Sequence, residues 1–151
     1  MKISIAVLSF FVLCACAQDG PNIKQIENMQ FFIDNKKNNE IIEIEPGLQY
    51  YVVENGDPSG STPDLNDTIS AHFHGTLTSG EVFWSSLDSE PLKIKLSELI
   101  AGCQKTISLM KEGDKWVVYI DPTMAYGEEG RPGIPSNSIL IFEIELLKIL
   151  S

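Results

Sequence analysis

The stretch AYGEEGRPGIPSNSILIFEIEL, residues 125–146, constrains the fold more than any other part of the chain. Its second half sends Leu140, Phe142, Ile144 and Leu146 to one face and Glu143 and Glu145 to the other. That period-two pattern predicts a half-buried strand. Its first half holds three glycines and two prolines, the composition of a loop. The same loop carries Tyr126 at its start and Ile134 near its tip. A plain connector is polar, so these residues predict a loop that leans over something apolar.

The rest of the chain supplies a sheet for this strand to join. GLQYYVVENG, residues 47–56, reads as a first strand, and residues 57–67 read as a loop. TISAHFHGTL alternates with Ile69, Ala71, Phe73 and Leu77 on one face. After the turn TSGE come a short aromatic strand, VFWSS, and a further alternation through Leu92, Ile94 and Leu96. Ser97 is placed to cap a helix over residues 98–111, with Gly113 as its stop. KWVVYID then returns to a strand with Trp116, Val118 and Ile120 inward. About five strands and one central helix predict an α+β domain, a twisted antiparallel sheet with the helix across one face. Upstream, Ile23, Ile26, Met29 and Ile33 recur at near-helical spacing and predict a small amphipathic helix over residues 23–37, read as a weakly packed spacer.

Composition narrows the function. The 151 residues suffice for one domain with a real core, and a net charge of −10 argues against a nucleic-acid partner. The chain opens with Lys2 and an apolar run, residues 3–13, too short to span a bilayer, which predicts a signal peptide over residues 1–15. The run ends in LCAC, residues 13–16, which resembles the lipobox of bacterial lipoproteins and implies acylation of Cys16. Residues 16–46 then form a lipidated terminus, a tether and the short helix. Of the three cysteines, Cys14 leaves with the signal peptide and Cys16 is acylated. Cys103 remains without a disulfide partner.

No set of residues points to nucleophilic, acid–base or metal chemistry. His72 and His74 share the strand face opposite Phe73 and lack a third ligand at metal spacing. The chain has no phosphate loop and no nucleophile elbow. Cys103 lies in an apolar helical pattern, where cysteine is an inert small hydrophobe. What remains is apolar: Phe73, Phe83, Leu99, Ile100, Tyr126, Ile134 and Phe142 come from separate elements and either converge on a pocket or are simply core.

AHFHGTL, GEVFWSS, SELIAG and DPTMAYGEEGRPGIPSNSILIFEIELLKI resemble, in order and spacing, the successive motifs of FKBP-type peptidyl-prolyl cis-trans isomerases. FIDNKKNNEIIEIEPGLQY resembles the lead-in of exported bacterial members of that family. The resemblance covers residues 47–150 and implies a five-stranded antiparallel sheet wrapped round one short helix, with residues 47–151 as the isomerase domain. It implies a proline pocket walled by Phe83 and Phe142, with Ile134 at its lip and Phe73, Trp84, Leu92 and Cys103 completing the lining. Leu99 and Ile100 would present a backbone edge to the substrate, and Tyr126 would donate a hydrogen bond to a substrate carbonyl. The implied activity needs no cofactor, and the implied partners are proline-containing polypeptides, with the membrane reached through the lipid anchor at the bacterial envelope. Three positions depart from the family pattern: Phe73 stands for a tyrosine, Trp84 for an aspartate and Cys103 for a tryptophan. The changes at Trp84 and Cys103 favour a second reading, a binding module with weak or no catalysis, while Phe83, Ile100, Tyr126, Ile134 and Phe142 favour the isomerase. A third, a subunit of an envelope machine, rests on analogy alone.

Overall fold

The computed structural model describes residues 20–150. The expected signal peptide and the acylation at Cys16 lie outside the described residues. The elements run α1 (Ile23–Asn35), β1 (Ile42–Glu45), β2 (Leu48–Glu54), β3 (Thr68–Leu77), β4 (Val82–Ser85), β5 (Leu92–Lys95), a 3-10 turn (Leu96–Glu98), α2 (Ala101–Ile107), β6 (Lys115–Ile120), a second 3-10 turn (Pro122–Met124) and β7 (Leu140–Leu150).

All strands join one antiparallel sheet in the order β1-β2-β6-β7-β3-β4, with β5 also on β3. The fold is α+β, as expected, but the sheet has seven strands rather than five. The difference has two causes. β4 and β5 share one edge of β3: Gly75 pairs Trp84, while Ala71 pairs Leu92. Pro91 and the polar residues before it interrupt what would otherwise be one edge strand. In addition, β1 pairs with β2, with a register shift between Glu43 and Glu45, so the sheet begins upstream of Gly47. β7 is the centre. Leu140, Phe142, Ile144 and Leu146 are buried along it, Phe73 pairs Ile144 on one side, and Val118 pairs Phe142 on the other.

α2 lies against the buried face through Gly102, Cys103, Thr106 and Ile107. It is shorter than the helix predicted over residues 98–111, and Ser97 does not cap it. Leu99 and Ile100 are extended, with ψ of 166° and 152°, because the Gln104 side chain reaches back to the Leu99 carbonyl (2.6 Å) and the Ser97 carbonyl (3.1 Å). At the other end Asp114 accepts the Lys111 N–H at 2.7 Å and draws the chain out of helix before Gly113.

α1 begins in a capping box, Asn22 with Gln25, and ends at Asn35 rather than Lys37. Its few attachments to the domain are mainly hydrogen bonds. Gln49, fully buried on β2, takes a hydrogen bond from Asn35 and donates to the Phe32 carbonyl and to Glu43. The buried face is Asn28 and Phe32, not the predicted apolar stripe. Ile23, Ile26, Met29 and Ile33 point to solvent, each more than half exposed. Polar anchoring through Asn28 and Gln49 has turned the helix away from the orientation that its hydrophobic spacing alone would select. Among the described residues no helix is long and apolar enough to cross a membrane.

Candidate active site

Between α2, the broken edge strand and the loop before β7 lies a cavity of about 510 Å³. Phe73, Phe83, Trp84, Leu92, Leu99, Ile100, Cys103, Tyr126, Ile134 and Phe142 all line it, so the ten residues that the family resemblance implies converge on one space. Ile94, Glu98, Arg131 and Pro132 also line it and were not anticipated.

The walls are aromatic. Phe142 meets Phe83 edge to face at 5.4 Å and 89°, and meets Phe73 at 6.3 Å and 82°. Both are favoured geometries for aromatic pairs. Gly75 makes the first contact possible: a β-carbon there would stand 2.5 Å from Phe83 Cζ and 2.8 Å from Phe142 Cε1. Phe73 is fixed through its backbone, since Ser86 Oγ accepts its N–H at 3.0 Å and the Ser86 N–H donates to its carbonyl at 2.9 Å. His72 and His74 lie beside this edge, bonded to Ser86 and Ser85.

Trp84 packs against Phe73 at 5.9 Å and stays 40% exposed. It therefore extends the wall towards solvent rather than filling the floor. Cys103, buried at the floor, has its thiol pushed up to about 12 by desolvation. It stays protonated at neutral pH and offers no nucleophile.

The overhanging loop is rigidly built. Asp121 caps the second 3-10 turn by accepting the Thr123 N–H at 2.9 Å, and the Gly127 N–H returns to the Pro122 carbonyl at 2.8 Å. Arg131 and Ile134 exchange two backbone hydrogen bonds, of 2.9 and 2.8 Å. Gly130 permits this: its φ is +63°, and a β-carbon would meet the Ile134 carbonyl at 2.4 Å. Ile134 is buried, so it belongs to the wall more than to an exposed lip. α1 reaches this loop as well. The buried Asn28 side chain donates to the Asn137 carbonyl at 3.0 Å, and the Asn137 N–H donates to Gly127 at 2.8 Å. Asn28 was not foreseen, because one asparagine in a helix gives no sign of a partner 109 residues away.

Two residues of the lining carry a donor with no acceptor among the described residues. No described residue accepts the Ile100 N–H, since the first helical bond uses only its carbonyl. Tyr126 Oη accepts from Arg131 Nη1 at 2.9 Å, which leaves the hydroxyl hydrogen free to donate. A largely apolar space whose lining carries two such donors can hold a peptide carbonyl.

Comparison with known proteins agrees with this geometry. The family profile described as FKBP-type peptidyl-prolyl cis-trans isomerase matches residues 59–147. The chain is similar to the FKBP-type peptidyl-prolyl cis-trans isomerase FkpA of Aeromonas hydrophila, 36% identical over 83% of this chain and 46% of that protein. It is similar to the peptidyl-prolyl cis-trans isomerase Mip of Coxiella burnetii, 37% identical over 79% of this chain and 52% of the other. It thus spans about half the length of these relatives. Among solved structures, a peptidyl-prolyl cis-trans isomerase from Pseudomonas syringae superposes with a TM-score of 0.79 at 27% identity, over 88% of this chain and 98% of that one. FkpA from Escherichia coli superposes at 0.77 and 34% identity, over 84% of this chain and 59% of that one.

Proposed function

Because the chain belongs to the FKBP-type peptidyl-prolyl cis-trans isomerase family, we propose that its aromatic cavity catalyses rotation about X–Pro bonds in exported polypeptides. The observation that carries this reading is one largely apolar cavity whose lining includes two donors without an acceptor among the described residues, Tyr126 Oη and the Ile100 N–H. Rotation about a peptide bond must cross a barrier of about 18–20 kcal/mol, which is lost resonance. X–Pro bonds are nearly balanced between isomers and exchange over tens to hundreds of seconds unaided. No bond breaks, so the site needs only to favour the twisted amide over the planar one. A twisted amide has less charge separation, and a water-poor aromatic cavity solvates it better relative to the planar ground state. Phe83 and Phe142 hold the proline ring. The Ile100 N–H and Tyr126 hydroxyl hold carbonyls of the flanking chain while the bond between them turns.

Tyr126→Phe tests the role of the hydroxyl. It should lower kcat/KM by about two- to tenfold, the worth of one hydrogen bond, with the thermal midpoint nearly unchanged. Unchanged kinetics would remove Tyr126 from the mechanism. A second reading, a binding module with little turnover, is favoured by one observation: the exposed indole of Trp84 occupies the position of the family's aspartate. In that case X–Pro peptides bind in the cavity without being isomerised.

The site of action in this reading is the bacterial envelope, with Cys16 acylated and residues 47–151 as the isomerase domain. The LCAC sequence supports the anchor, and so does α1. Six residues, 17–22, separate Cys16 from Ile23. The helix therefore presents Ile23, Ile26, Met29 and Ile33 close to any anchored terminus, where a bilayer would cover them. Cys16→Ala should abolish metabolic labelling with palmitate and move the protein from the membrane to the wash fraction. Labelling that persists in this variant would refute the anchor.

A further inference from the structure

The strongest feature not used above is Arg131. Of 11 cationic residues in the chain it is the one arginine, in a protein of net charge −10, and it lines the cavity. Its backbone is pinned by the two hydrogen bonds with Ile134. Its guanidinium lies 5.0 Å from the Tyr126 ring centroid and gives one hydrogen bond, to Tyr126 Oη. Among the described residues the ion pairs engage Lys24, Lys36, Lys37, Lys105 and Lys115, and none engages Arg131. A guanidinium has five N–H donors, so most of its fork remains open at the mouth of the pocket. That fork matches a carboxylate better than any other peptide group. The other charged group on the lining is Glu98, beside the Leu99–Ile100 edge. Glu128 and Glu129 sit in the same loop as Arg131, exposed and without an ion pair to it. The mouth of the cavity is thus polarised, with its cation beside Tyr126 and an anion beside Ile100.

We propose that Arg131 selects X–Pro segments that carry an aspartate or glutamate beside the proline, by engaging that carboxylate at the Tyr126 side of the cavity. The selection rests on the isomerase reading of the same cavity. At physiological salt the screening length is about 8 Å, so distant acidic groups act weakly at the mouth while a contacting cation acts in full; Glu128 and Glu129, in the same loop, temper its field. Neutral and apolar residues before proline remain substrates, because the walls that hold the ring do not change.

The test uses three tetrapeptides, Ala-X-Pro-Phe, with Glu, Gln or Lys at X, and two readouts: kcat/KM for isomerisation, and Kd by fluorescence anisotropy of labelled peptide. In the wild type at low salt the Glu peptide should exceed the Gln peptide by about two- to fivefold, the worth of one exposed ion pair, and should exceed the Lys peptide by more. Arg131→Ala should erase or invert the order, with Glu98 the charged residue left on the lining, and Arg131→Lys should restore part of it. Added salt should compress the wild-type ratios. A Glu-to-Lys ratio that is the same in wild type and Arg131→Ala overturns the proposal. No turnover of any peptide, with binding ratios that still follow Arg131, would overturn the isomerase reading and uphold the selector.

Discussion

Gly75→Ala is expected to lower the thermal midpoint by about 4–12 °C and kcat/KM by about 10- to 100-fold. The new methyl carbon would fall 2.5 Å from Phe83 Cζ, 2.7 Å from Phe83 Cε2 and 2.8 Å from Phe142 Cε1. Real contacts of this kind need well over 3 Å, so both rings must retreat. Neither has easy room. Phe142 is buried on the central strand, and Phe83 sits on β4, whose partner residue Trp84 pairs with Gly75 itself. Overpacking of this kind costs about 1–3 kcal/mol. The expected catalytic loss comes from geometry: the rings proposed to hold the proline would move by a few tenths of an ångström or more. Thermal melts and peptide isomerisation on the purified variant read both effects. A variant with wild-type melting and turnover would mean that Phe83 and Phe142 do not shape the site.

Phe142→Ala should have the larger effect on stability, about 3–5 kcal/mol, because it deletes a large buried ring and leaves a void. Phe142 is 7% exposed and makes edge-to-face contacts with both Phe73 and Phe83. Its strand neighbours are Gly75 and Val118, and neither is large enough to refill the space. Activity should fall to near the uncatalysed rate even under conditions where the variant stays folded. Denaturant unfolding gives the stability change, and Phe142→Leu, which keeps part of the volume, should recover a substantial share of it. Equal losses for both substitutions would mean that volume at this position is not what matters.

Much of this structure is legible in the sequence, and the reasons differ by element. β7 and β6 alternate because one face of each is core and the other is partly exposed, and the burial follows the pattern through β6 and through β7 as far as Leu146. β1 is not legible, because IEIE is short and its hydrophobic residues pack only partly. The break between β4 and β5 reads as two strands but occupies one edge, a fact of pairing that no local pattern carries. α2 fails differently. Ser97 and Glu98 are good helix-start residues, yet Gln104 captures the Ser97 and Leu99 carbonyls and keeps the chain extended through Ile100. That extension leaves the Ile100 N–H without an acceptor among the described residues, so the misplaced helix start and the proposed substrate edge have one cause. The apolar stripe of α1 is real as a pattern, but it faces out, because buried amides at Asn28 and Gln49 decide the orientation. The apolar lining of the site comes from motif resemblance. Its polar supports, Ser86, Asn28 and Arg131, come only from three-dimensional contacts.

The most direct test of the central claim is the exchange rate between cis and trans Ala-Leu-Pro-Phe, followed in the presence of a catalytic amount of the purified protein. Left alone, the peptide exchanges over tens to hundreds of seconds. The account predicts a rate that rises in proportion to protein concentration, falls with Tyr126→Phe and returns to the uncatalysed value with Phe142→Ala. An exchange rate that the wild-type protein leaves unchanged, although the peptide binds between Tyr126 and Phe142, would contradict it.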